Sequence, residues 1–235
     1  ARAALKLGAG CVHVFLLADN APSVDLVQPE LIVHHATKAA PLPDTDVLVI
    51  GCGLGQDTVA QKQLHDALHS DATLVLDAGA LNLLAERPDL RIPLHARAAA
   101  TVLTPHPGEA ARLLECSTAE VQADRVAAVL QLAEQLRCSV VLKGADSLCA
   151  VHNGKLFVNH TGNPGMSSAG MGDVLAGMIG AFIAQGMTAD DALLLGVHLH
   201  GAAGDKLAEQ HSTIGMTATE VTEWARWLLN QWTAK

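Results

Sequence analysis

The sequence predicts an α/β fold in which a mostly parallel sheet is covered by helices on both faces. Short apolar, β-branched runs alternate with helical patterns through the middle of the chain. Each run is followed at once by a glycine- or proline-rich stretch, as in open sheets that bind a ligand at the carboxyl ends of their strands. Residues 161–186, TGNPGMSSAGMGDVLAGMIGAFIAQG, read as a loop feeding an apolar helix, with seven glycines in 26 residues.

Taken in order, the chain opens on a helical pattern (ARAALKLGAG), then a strand over 12–17 and a short extended segment over 29–33. Pro41, Pro43 and Asp44 mark a turn. Regular alternation follows: strand 46–50 (DVLVI), helix 56–70, strand 73–76 (TLVL), a short helix at 80–85 and strand 101–103. Helices at 107–115 and 119–137 precede strand 139–142 (SVVL). A hairpin is expected over 151–159, with Asn153-Gly154 as its turn. The glycine-loop helix starts near Gly172–Asp173, with Val174, Leu175, Met178, Ile179, Phe182 and Ile183 on one apolar face. Helices at 190–208 and from Ala218 complete the chain, the last opened by a capping box of Thr217 and Glu220. Its tryptophans (Trp224, Trp227, Trp232) suit core packing or a subunit contact.

At 235 residues and 50% hydrophobic, the chain suits one domain over 1–235. No apolar run is long enough to span a membrane, and no signal peptide is recognisable. The chain begins without Met inside a helical pattern, so a preceding segment is expected. A net charge of −9 argues against a nucleic-acid surface. Five cysteines without CxxC spacing read as buried thiols of a reducing, cytoplasmic compartment. His65 and His69, at i,i+4, read as a solvated helix face, and no structural metal site is expected.

The candidate site follows from the loops. Gly162, Gly165, Gly170 and Gly172 leave backbone amides uncovered before a helix N-terminus, an arrangement suited to phosphate. Asp173 at the mouth of an anion site repels the ligand and is best explained by proton transfer; its bland role would be a helix cap. The four strands feed GCGLG (51–55), DAGALN (77–82), TPHPGE (104–109) and KGADS (143–147). His106 lies between two prolines on a stiff loop at the sheet edge, where a substrate would lie; its bland role would be satisfaction by local backbone. Lys143 could simply reach water, and Asp77 could cap the following helix.

In order and spacing, GCGLG, DAGALNLLA, LTPHPGEAARLL, VVLKGADS, GNPGMSSAGMGDVLAGMIGAFIAQG and HLHGAAGD resemble the ADP-dependent NAD(P)H-hydrate dehydratases of the ribokinase-like superfamily. The resemblance implies a ribokinase-like three-layer α/β/α fold and repair of hydrated NADH or NADPH at the expense of ADP, with Mg²⁺ held mainly by phosphates and water. It implies that Asp173 is the catalytic acid–base group, and that Asp173, His106, Gly53 and Gly55 contact the hydrated dinucleotide. Lys143, Gly144, Ala145, Asp146 and Ser147 would hold the adenine nucleotide, together with Asn163, Gly165, Met166, Ser167, Ser168, Ala169, Gly170 and Gly172. A homo-oligomer is expected, with no nucleic-acid or membrane partner, and an epimerase domain could precede this one in the parent chain. Two features depart from the family pattern: Gly79 stands where many members carry a second aspartate, and a further substrate loop is expected before Ala1. A small-molecule alcohol kinase of the same superfamily would use the same glycine loop and aspartate, whereas a non-catalytic adenylate-binding domain would bind without turnover.

Overall fold

The computed structural model describes residues 1–18, 20–35 and 45–234. Helix α1 (Arg2–Lys6) leads to β1 (His13–Leu16) and β2 (Ile32–His35), which pair in parallel as a two-stranded sheet of their own. The second of these strands lies later than the sequence suggests, and the expected turn at Pro41, Pro43 and Asp44 falls outside the described residues.

The main sheet begins with β3 (Val47–Ile50), followed by α2 (Thr58–Leu68), β4 (Thr73–Leu76), α3 (Ala78–Glu86) and α4 (Arg91–Ala96). Next come β5 (Thr101–Leu103), α5 (Pro107–Leu113), α6 (Thr118–Ala123), α7 (Arg125–Leu136) and β6 (Ser139–Leu142). Strands β7 (Ser147–Ala150) and β8 (Leu156–Asn159) precede α8 (Met171–Ala184), α9 (Ala189–His211) and α10 (Ala218–Thr233). Strands β3 to β8 lie side by side in chain order, the first four parallel and the last two antiparallel. All four parallel strands therefore present their carboxyl ends at one edge.

The period of two along the strands divides the core. Leu74, Leu76, Leu103, Val140 and Leu142 pack into the layer formed by α2 to α7. Val75, Val102 and Val141, from the same strands, point into the layer formed by α1 and α8 to α10. Full burial of a leucine such as Leu76 is worth about 1.5–3 kcal/mol. A one-residue slip would exchange the two cores, so the register is firmly set.

Several expected elements differ. The helix expected over 119–137 is broken at Asp124, whose carboxylate accepts the Ala127 amide at 2.9 Å and starts α7 afresh. Helix α4 was hidden by Pro88 and Pro93, which open a 3₁₀ turn and lie in the first helical turn. The hairpin's first arm is β7, because residues 151–155 form the turn, with Gly154 at φ +79°. Cys11 and Cys52 are exposed and Cys116 half-buried, so only Cys138 and Cys149 are the buried thiols expected; all five are free.

Candidate active site

The loop after β3 is shaped by its glycines. Gly51 has φ +129°, and any Cβ there would overlap the Asp77 carbonyl oxygen. Gly53 and Gly55 have φ +68° and +77°, with open space where a side chain would stand. Gly79 donates its amide to the Gly51 carbonyl at 3.1 Å, and a Cβ would lie 3.0 Å from that same oxygen. The glycine at 79 thus lets the first turn of α3 lie directly against the GCGLG loop.

Asp77 occupies the cap position of α3, but its side chain accepts no amide of that helix. Its carboxylate turns across the sheet to Lys143 Nζ, 2.7 Å away, and is almost wholly buried. Glu109 lies 3.9 Å from the same ammonium. His106 has a local role: its Nδ1 accepts the Gly108 and Glu109 amides at 3.0 and 3.3 Å, and the Glu109 carboxylate accepts the His106 amide at 2.8 Å. This reciprocal cap of α5 leaves Nδ1 unprotonated. The ring is half exposed, with Nε2 3.3 Å from Glu109 Oε1.

Helix α8 starts one residue earlier than expected, at Met171, with Gly170 as N-cap at φ +87°. Asp173 is therefore in the first turn and is not the cap. It is exposed, and among the described residues no backbone amide donates to its carboxylate, which faces the Cys52 thiol. The oxygens and sulfur of Cys52, Asp77 and Asp173 lie within 4.8 Å of one another. Burial, and then the charges of Asp173 and Asp77, push the Cys52 thiol up to about 12. Although Cys52 as a residue is exposed, the two carboxylates act in the same direction as burial, so its sulfur stays protonated. Asp173, Gly170 and Ala169 line a cleft of about 820 Å³, with α1, Val14 and Leu16 of β1, Val33 of β2 and the start of α10 as its other walls.

The glycine loop is seated on α9. A Cβ on Gly201 would overlap Thr161, and one on Gly204 would overlap Met166. Asp205 accepts the Gly162 amide at 2.8 Å and the Asn163 side-chain amide at 3.0 Å. Asn163 accepts the Gly165 amide at 3.0 Å, and Ser168 donates to the Met216 carbonyl at 3.0 Å. The KGADS loop is held by Arg125 of α7, whose guanidinium donates to the carbonyls of Ala145, Leu142 and Lys143 at 2.8, 3.2 and 3.4 Å. Gly144, at φ +144°, leaves room for that guanidinium. Ser147 donates to the Gly144 carbonyl at 2.9 Å. Asp146 meets His160 at 2.7 Å, tying this loop to the segment before the glycine loop.

Of the residues singled out from sequence, Asp173, Ala169 and Gly170 share the cleft, and Lys143 meets Gly172 behind it. Gly53, Gly55, His106, the rest of 143–147 and residues 163–168 do not line that cleft. The sequence offers Asp77 within the DAGALN loop, with a helix cap as its bland role, and does not single out Arg125, His200 or Asp205; His200 and Asp205 stand inside HLHGAAGD, whereas Arg125 carries no local signal. As a cation site the mixed cluster is poor: Asp77 is bonded to Lys143 and the thiol is protonated, which leaves Asp173 as the free carboxylate.

An acid beside uncovered helix amides and a fixed ammonium can take a proton while an anion is held next to it. A family model described as NAD(P)H-hydrate dehydratase matches residues 1–226. The bifunctional NAD(P)H-hydrate repair enzyme Nnr of Escherichia coli is 44% identical over 93% of this chain and 42% of its own length. The ADP-dependent (S)-NAD(P)H-hydrate dehydratase of Neisseria meningitidis is 41% identical over 98% of this chain and 79% of its own. An ADP/ATP-dependent NAD(P)H-hydrate dehydratase from Bacillus subtilis, co-crystallised with ATP and Mg²⁺ and soaked with CoA, has a TM-score of 0.86 at 30% identity. That match covers 97% of this chain and 84% of the other. The chain spans a little under half the length of the bifunctional relatives. Its architecture is shared with solved ribokinase-like structures. Sequence, architecture and the family match agree, and the chain belongs to the NAD(P)H-hydrate dehydratase family.

Proposed function

We propose that this chain dehydrates the S form of hydrated NADH or NADPH while converting ADP to AMP and phosphate. The observation that carries the reading is Asp173: exposed in the cleft, in the first turn of α8, and not used as a helix cap. The damaged ring carries a hydroxyl on C6, a poor leaving group. Transfer of the terminal phosphoryl group of ADP to that oxygen gives AMP and a C6 phosphate ester. Phosphate then leaves with help from the ring nitrogen's lone pair, and loss of a C5 proton restores the dihydronicotinamide.

In this reading the Asp173 carboxylate takes the hydroxyl proton, and the first-turn amides of α8 with Lys143 stabilise charge on the moving phosphoryl group. Mg²⁺, present with ATP in the Bacillus subtilis crystals, would bind mainly through the phosphates and water and supply further charge neutralisation. His106, Gly53 and Gly55 are proposed for the dinucleotide side, and 143–147 with 163–172 for the adenine nucleotide. ADP is proposed to serve better than ATP. Residues 1–235 are read as one domain, which the half-length match to bifunctional relatives supports, as it does fusion to an epimerase domain in a parent chain. A homo-oligomer, and a reducing compartment suited to five free cysteines, complete the reading.

The test is Asp173→Asn, which keeps the shape and removes the charge. Turnover should fall roughly 10²- to 10⁴-fold, with circular dichroism and ADP affinity unchanged. Parent-like turnover at matched saturation would remove Asp173 from the chemistry.

A further inference from the structure

Asp77 is placed where an aspartate ordinarily caps a helix, with extended backbone at φ −135° and ψ 168°. Its side chain caps nothing. Its carboxylate, 2% exposed, instead holds Lys143, which arrives from the end of β6, two strands away. The pair fills the space beside Gly172: a Cβ there would stand 3.0 Å from Lys143 Nζ and 3.3 Å from Asp77 Oδ2. The ammonium is therefore set against the first turn of α8, the positive end of that helix. A cation there is unfavourable, and a buried ion pair rarely improves on well-packed apolar residues. Both costs make sense if the ammonium and the helix amides await the same anion.

We propose that Asp77 is a positioning residue acting through Lys143. It pins the ammonium beside the first turn of α8, so that lysine and amides meet the transferred phosphoryl group together. This rests on the ADP-dependent reaction proposed above. The other charged neighbours cannot replace it. Glu109, at 3.9 Å, is already engaged by the His106 amide. Neighbouring His200 is neutral, and among the described residues Asp77 and Glu109 are the carboxylates that pair with the ammonium. Without Asp77, the ammonium shifts toward Glu109 or Asp173 and leaves the phosphoryl path, while its charge still favours nucleotide binding.

The experiment is a double-mutant cycle on the full chain, with Asp77→Asn, Lys143→Met and both together. Asp77→Asn should lower kcat roughly 10- to 100-fold, with ADP affinity by calorimetry unchanged or tighter. Lys143→Met should lower both, and adding Asp77→Asn to it should lower kcat no further. An unchanged kcat in Asp77→Asn overturns the proposal, and so does an equal further loss on the Lys143→Met background. If Asp77→Asn fails to fold, Asp77→Glu keeps the charge, displaces the ammonium and should show the same kcat loss. If the parent does not turn over the hydrate, the reaction itself is refuted. The positioning is then read from the ¹⁵N resonance of Lys143 Nζ, which should be sharp in the parent and lost in the Asp77 variant; the same signal in both overturns it.

Discussion

His200 lies on α9 behind the glycine loop, with its Nε2 buried and unpartnered among the described residues. Burial first, and then the charge of Lys143, push its pKa down from 6.5 to about 4, while a hydrogen bond with the Met171 backbone pulls the other way. The folded state thus holds the neutral ring, and the unfolded chain takes up the proton first as pH falls. The stabilising contribution is complete above about pH 6.5 and is lost as pH drops from there to 4. Between those limits the parent should lose about 3 kcal/mol more stability than His200→Gln. Urea unfolding at a series of pH values measures the difference, and parallel curves would contradict it. His106 shows what sequence can and cannot say about a residue. Its flanking prolines revealed a rigid loop, but the preference rules for caps favour Ser, Thr, Asp and Asn, so a histidine cap goes unnoticed.

At the scale of elements, the strands were legible because buried parallel strands are short apolar runs, and their carboxyl ends were marked by GCGLG, DAGALN, TPHPGE and KGADS. Helix α9 was legible only as a helix. Its periodicity could not show that Gly201 and Gly204 are small because the 161–166 segment lies on them, or that Asp205 anchors that segment. These contacts join residues about 40 positions apart, and no local pattern encodes them. Gly201→Ala should therefore act at a distance. Its Cβ would overlap the Thr161 hydroxyl and lie 2.6 Å from the Thr161 carbonyl. Overpacking should cost about 1–3 kcal/mol, and displacement of the glycine loop should weaken ADP binding about tenfold, or about 1.4 kcal/mol. Denaturant unfolding and titration calorimetry read the two effects separately; parent-like values in both would show that the loop does not depend on this seat.

On the scale of the whole molecule, one topological fact organises the site. Four parallel strands in chain order bring four distant loops to one edge, and α8 sets its N-terminus there. The cleft is closed by the separate β1–β2 sheet and by α1 and α10, elements whose sequences gave no hint of a shared wall. Among the described residues no helix is long and apolar enough to cross a membrane. A site of amides, one free carboxylate and one pinned ammonium, in a chain of net charge −9, suits a small phosphorylated ligand better than a polyanionic surface. The most direct measurement is to incubate the chain with enzymatically prepared S-form NADH hydrate and ADP, following dihydronicotinamide absorbance and the adenine products. The account predicts recovery of absorbance with one AMP and one phosphate released for each dihydronicotinamide formed. No recovery, or transfer of phosphate to an alcohol that stays phosphorylated, would contradict it.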